Sequence, residues 1–101
     1  MAKTSSIEKN KLRIKLSKSF NSKRMNLKNI VMNKNTSSED RISAVMKLAE
    51  FPRNANPTRV RSRCEISGRS RSVYKKLRVS RIALRELGNM GLIPGLVKSS
   101  W

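Results

Sequence analysis

Nine arginines in the second half of the chain, Arg53, Arg59, Arg61, Arg63, Arg69, Arg71, Arg78, Arg81 and Arg85, carry its strongest chemical signal. A guanidinium is a planar fork that grips phosphate oxygens in pairs and stacks on bases, which an ammonium group cannot do. Arg59, Arg61 and Arg63 alternate, so an extended backbone projects them to one side. Arg78, Arg81 and Arg85 recur at helical spacing and would share one helix face. Tyr74 stands among Arg71, Lys75 and Lys76, and its ring has two readings, stacking on an unpaired base or ordinary packing. Trp101 is as open, to RNA, to protein, or as a cover for Ile93 and Leu96. The alternative for the whole series is a solvated charged face, but these residues sit where no core pattern exists.

Catalysis has no comparable set of residues. Cys64 is the single cysteine and the chain has no histidine to activate it. A metal ion asks for about four soft or nitrogen ligands, and the chain offers one. Glu39 and Asp40 fall at a helix start, where capping and the helix dipole explain them. No glycine-rich phosphate loop is present. The sequence therefore points to no enzyme, no cofactor and no small-molecule substrate.

Charge decides the partner class. The 101 residues hold 24 Lys+Arg against 6 Asp+Glu, a net of +18. Such a chain repels itself when compact, so a polyanion must neutralise it. Nucleic acid does so by releasing condensed counterions; an anionic membrane surface is the competitor. The charge lies in two blocks, +9 over residues 1–35 and +10 over residues 53–101, around a nearly neutral −1 over residues 36–52. No apolar run approaches the ~20 residues that span a bilayer, and the N-terminus lacks a secretory pattern. One cysteine makes no intrachain disulfide, which suits a reducing compartment.

The elements that must position the arginines read as mostly α, with no independent large core. Ile42, Val45, Met46 and Ala49 recur at helical spacing, Thr36–Glu39 or Ser37–Asp40 caps the start, and Pro52 ends the helix. Upstream, Ile7, Leu12, Ile14, Leu16 and Phe20 suggest one helix, with a break or bend expected between Ser19 and Asn21. Leu27, Ile30 and Val31 are then expected to pair with the Ile42 stripe as a helical hairpin across residues 33–38. From Arg53 to Ser72 the pattern vanishes among Pro, Asn, Ser and Gly, which reads as an irregular extended segment packed by RNA. A short helix follows, with Val79, Ile82, Ala83 and Leu87 on one face, Ser80 as cap, and Gly91 and Pro94 as stop. The division expected is 1–52 as a helical extension and 53–101 as the RNA-binding region, with its helix and tail.

That second region resembles the family of the fourteenth small-subunit ribosomal protein. The resemblance rests on Arg63-Cys64, Gly68-Arg69, Leu77-Arg78-Val79-Ser80-Arg81, Arg85-Glu86, the Gly91-Leu92-Ile93-Pro94-Gly95-Leu96 turn and the closing Lys98-Ser99-Ser100-Trp101. Phe51-Pro52-Arg53 and Pro57-Thr58-Arg59 resemble the segment that precedes the signature. The likeness covers essentially the whole chain, and it adds Lys98 to the candidate RNA-binding residues. One branch of the family holds zinc through four cysteines; the matching positions here are Cys64, Ser67, Ser80 and Ala83, so this chain resembles the zinc-free branch. Ser70 and Ser72 stand where many members carry Pro or Gly, and Leu77 where many carry an aromatic.

The resemblance implies a structural component of the small ribosomal subunit. It would bind the 3′ domain of the small-subunit rRNA in the head, support assembly and shape the decoding region near the aminoacyl-tRNA site. Small-subunit ribosomal proteins three and ten would be its neighbours, in the bacterial cytoplasm or the mitochondrial matrix. The alternative, a basic amphipathic membrane-surface or targeting segment at residues 7–20, leaves the arginine series unexplained.

Overall fold

A computed structural model of the chain describes residues 1–99. It is mostly helical, in the order α1 (Thr4–Met32), α2 (Ser38–Ala49), β1 (Val73–Tyr74), β2 (Val79–Ser80) and α3 (Arg81–Asn89). The chain divides into two compact units, Met1–Glu8 together with the chain from Arg61 onward, and Lys9–Val60.

In the unit Lys9–Val60, α1 passes through Ser19 and Asn21 without the expected break. Its stretch contains neither Gly nor Pro, and Ser or Asn costs a helix only a fraction of a kcal/mol. The Ser19 hydroxyl donates back to the Leu16 carbonyl at 3.0 Å, so it is satisfied inside the helix. Of the two possible caps for α2, the fold uses Ser37, whose Oγ accepts from the Asp40 N–H and donates to Asp40 Oδ2 at 2.8 Å. Two contacts establish the helical hairpin. Arg41 Nε donates to the Val31 carbonyl at 3.1 Å, supplying a cation to an α1 end that has none in its last turn. Phe20 meets Phe51 with ring centroids 5.3 Å apart. Residues 31 and 41 are thus paired near the loop and 20 and 51 far from it, the antiparallel order.

The buried face of α2 differs from the expected one. Ala44 is buried and Leu48 half-buried, whereas Ile42, Val45, Met46 and Ala49 are exposed. Their spacing is amphipathic, but periodicity names a stripe without saying which surface covers it.

The arginine-rich segment also departs in detail from an extended chain. Two single 3-10 turns, Arg53–Ala55 and Pro57–Arg59, follow α2; Asn56 caps the second by accepting from the Thr58 N–H, and Ala55 is buried. Further on, a tight loop forms where Cys64 N–H donates to the Arg69 carbonyl and Gly68 N–H to the Cys64 carbonyl, each at 2.9 Å. Gly68 sits at φ +70, and a Cβ there would lie 2.6 Å from Ile7 Cδ1. The first residues of the chain press on this loop, with Ala2 N–H donating to the Ser67 carbonyl at 3.2 Å. Residues 53–72 therefore carry packing of their own.

The rest of this unit is a two-stranded hairpin leading into α3. The strands pair antiparallel, Val73 with Ser80 and Tyr74 with Val79. Arg78 closes the turn at φ 55, its N–H donating to the Tyr74 carbonyl at 2.7 Å. Ser72 also lies at φ 55, a left-handed position that a glycine would adopt without strain. Ser80 caps α3 as expected, its Oγ accepting from the Ala83 N–H at 3.3 Å. At the other end Gly91, at φ 69, reverses the chain and Leu92 N–H donates to the Leu87 carbonyl. Cys64, Val79 and Ala83 form a buried core, with Val73, Leu84 and Leu87 packed against it. Ile82, expected on the buried face, is exposed. Six side chains make a core too small to stabilise a large domain.

Candidate nucleic-acid interface

Two groups of candidate residues emerge, one in each unit. In the unit Lys9–Val60, a recess of about 300 Å³ gathers Arg53, Arg59 and Arg24 beside Phe51 and Pro52. Arg59 Nη1 donates to Asn54 Oδ1 at 2.9 Å, so the 3-10 turns set its direction. Arg24 was missed in the sequence, because nothing local distinguishes it from the lysines around it. Since Arg59 lies in a 3-10 turn, the alternation expected for Arg59, Arg61 and Arg63 extends at most to the last two.

In the other unit the arginines fall into two kinds. Some brace the fold. Arg63 Nη1 donates to the Gly68 carbonyl at 2.8 Å, and Arg69 Nε to the Arg71 carbonyl at 3.1 Å. Arg78 pairs with Glu65 at 3.3 Å, both side chains largely in solvent, a pair worth at most about 1 kcal/mol. Others keep their heads uncommitted: Arg71, Lys75, Lys76, Arg81 and Arg85 are exposed, and their side chains have no hydrogen-bond partner among the described residues. Arg63 combines both, because its Nε is buried with no acceptor among the described residues. A buried N–H of that kind lacks the acceptor that buried donors usually find.

Two of these cations, Arg81 and Arg85, line an open groove of about 1020 Å³ between α3 and the tail, with the carboxylate of Glu86 beside them. Tyr74, half exposed, stands on its wall with Arg81, Arg85 and Lys98, while Leu84 and Leu96 give it an apolar side. Lys98 Nζ donates to Asn89 Oδ1 at 3.0 Å, which ties the tail to the end of α3. Arg81 opens α3, whose first turn holds no acid, so the positive end of the helix dipole adds to its charge. Arg78 precedes the Ser80 cap and lies in the hairpin turn, outside the helix face expected for Arg78, Arg81 and Arg85. Arg61 is exposed and Trp101 lies outside the described residues. An aromatic face flanked by guanidiniums is chemistry for a base and its phosphates.

The positions that match the zinc ligands come together as a hydrogen-bonded knuckle. Ser67 N–H donates to Cys64 Sγ at 3.5 Å, while the Ser80 hydroxyl is engaged in the α3 cap. One thiol, two hydroxyls and the Ala83 methyl do not make a zinc ligand set. Among the described residues no three His, Cys, Asp or Glu side chains cluster as a metal site. Burial works to raise the Cys64 pKa, but hydrogen bonding at the sulfur outweighs it and brings it down to about 6; the Ser67 N–H makes such a bond at 3.5 Å, whereas the Ser67 hydroxyl is buried without a partner.

Comparison with known proteins bears on both units. The pattern of the family described as "Ribosomal protein S14p/S29e" matches residues 47–100. A protein of Rhizobium meliloti (strain 1021) named "Small ribosomal subunit protein uS14" is 58% identical over all of both chains. Its namesakes from Rhodopseudomonas palustris (strain BisB5) and Brucella anthropi are 58% and 57% identical, again over full length. These similarities span the lysine-rich helices as well as the arginine-rich unit.

Proposed function

This chain belongs to the ribosomal protein S14p/S29e family, and we propose that it binds small-subunit rRNA through the Tyr74–Arg81–Arg85 groove and the Arg24–Arg53–Arg59 recess. The coarse role, a structural ribosomal protein of the small subunit, follows from the family. The finer reading carries the resemblance further: residues 53–101 contact the 3′ domain of the rRNA in the head, near the A site, beside proteins three and ten. Residues 1–52 form the extension that spreads a lysine field over neighbouring RNA. The compartment in this reading is that of the particle, the bacterial cytoplasm or the mitochondrial matrix.

One observation supports this most directly. Arg81 and Arg85, whose side chains the fold leaves uncommitted, share a groove with the exposed ring of Tyr74, and Arg63 keeps a buried donor unpaired. Mechanistically the protein neutralises phosphates where RNA helices converge, and reads shape and backbone more than base edges. In this reading it needs no catalytic group. The test is fractionation on a sucrose gradient. The chain is expected to travel with small subunits, and a chain that stays at the top as free protein defeats the proposal.

A further inference from the structure

The first residues of the chain differ from the helix they lead into. Residues 1–8 hold one basic and one acidic side chain, Lys3 and Glu8, whereas residues 9–35 carry +9. This neutral head belongs with the arginine-rich unit. It offers apolar surface and one N–H, and both are spent on a single turn. A Cβ at Gly68 would meet Ile7 Cδ1 at 2.6 Å and Ala2 Cβ at 3.2 Å, and the Ala2 N–H donates to the Ser67 carbonyl at 3.2 Å. The Gly68 carbonyl is held in turn by Arg63 Nη1 at 2.8 Å. The knuckle side chains make no metal set among the described residues, so packing and hydrogen bonds must fix this turn.

Arg69 follows the turn directly. Its carbonyl accepts from the Cys64 N–H at 2.9 Å and its Nε donates to the Arg71 carbonyl at 3.1 Å. The two Nη atoms have no hydrogen-bond partner among the described residues. A guanidinium tied at Nε has its plane set while its paired Nη donors stay free, and that edge can grip a phosphate. We infer that Ala2 and Ile7 are positioning residues for RNA binding, which hold the Gly68 turn so that Arg69 presents its Nη edge to a phosphate. This rests on the ribosomal reading above and adds to it two uncharged side chains. They act through Gly68 and touch no phosphate themselves.

The test is a double-mutant cycle on the full chain, read by filter binding to small-subunit rRNA. Ile7→Ala should weaken binding about fivefold and Arg69→Ala about tenfold. The double variant should lose no more than Arg69→Ala alone, because both losses pass through one guanidinium. Ile7→Val removes only Cδ1, the atom nearest Gly68, and should weaken binding about twofold. It takes the place of Ile7→Ala in the cycle if that chain does not fold. In the free protein the NMR resonance of the Arg69 Nε–H should move in both Ile7 variants. It should stay in place in Leu27→Ala, a truncation of the same α1 within the other unit. Additive losses in the cycle, an Arg69 resonance that does not move, or Ile7 variants that bind like the unaltered chain each overturn the inference. If the unaltered chain itself shows no salt-dependent binding to the rRNA, the ribosomal reading falls and the inference with it.

Discussion

The two basic blocks carry almost the same excess charge, +9 before residue 36 and +10 after residue 52, and they use it differently. In α1 the charge is mostly lysine on exposed positions: Lys9, Lys15, Lys18, Lys23 and Lys28 all stand in solvent. After residue 52 it is mostly arginine, and Arg59, Arg63, Arg69 and Arg78 hold the protein's own oxygens. Lysines make a field, strong in total and loose in direction. Arginines that also brace the fold have their directions set by it. The difference teaches that equal charge need not mean equal recognition.

The largest expected effect sets the uncommitted arginines of the second block against the lysines of the first. Replacing Arg71, Arg81 and Arg85 with Ala should weaken binding to small-subunit rRNA by about a hundredfold and flatten its salt dependence by about two to three in log–log slope. Replacing Lys15, Lys18 and Lys23 with Ala should flatten the slope similarly but cost only about tenfold. Exchanging the same three arginines for lysine separates charge from shape. The slope should stay while affinity still drops several-fold, because the fork is lost. Filter binding across a salt series measures all three variants, and matched losses in the two alanine triples would erase the distinction between the blocks.

A second effect concerns the brace rather than the contact. Gly68→Ala forces a side chain into left-handed backbone and against Ile7, and should lower local stability by about 1–2 kcal/mol. Amide exchange at Cys64 and Gly68 reports it, with rates rising about tenfold or more. Pairing it with Ile7→Ala removes the clash but not the backbone strain, so part of the loss should persist. An unchanged exchange rate in Gly68→Ala would mean the loop does not depend on that geometry.

The knuckle around Cys64 predicts a smaller effect that depends on pH. The folded thiol titrates near 6, below an unfolded cysteine at about 8.5. A depressed acid stabilises the fold above its unfolded pKa, and that contribution fades as pH falls from about 8.5 through 6. Thiolate absorbance should therefore show a midpoint near 6. Cys64→Ala should remove this slope in stability between those limits, apart from any packing loss that does not vary with pH. A midpoint at the ordinary thiol value would show that hydrogen bonding does not reach the sulfur.

How much of this was legible in the sequence varies by element for physical reasons. The caps were readable because Ser37 and Ser80 act over three residues, and the stop at Gly91 is equally local. The hairpin order was readable from apolar stripes and a short loop. What covers each stripe was not, since Ile42, Val45 and Met46 look like core in one dimension and are surface in three. A break at Ser19 was expected from composition, yet one hydroxyl bonding backwards suffices to keep α1 whole. In the candidate site, the residue types were legible and the division of labour was not. Nothing in the order of residues says that Arg63 holds Gly68 while Arg81 remains uncommitted, because both partners are fixed by tertiary turns.

The smallest effect draws the line between bracing and contact at one residue. Arg78 stands at φ 55, where a side chain crowds its own carbonyl, and its partner Glu65 is a surface carboxylate that water replaces at little cost. Stability alone would favour glycine at this turn. Arg78→Gly should therefore raise stability by about 0.5 kcal/mol, the relief of strain outweighing the added chain entropy and the lost pair. The same change should weaken RNA binding a few-fold and lower the salt slope by about one. Opposite signs in the two measurements would mean that the arginine is kept for the RNA against the preference of the fold. If the variant instead loses stability and binding together, the pair with Glu65 matters to the fold despite its exposure, and Arg78 acts with Arg63 purely as a brace.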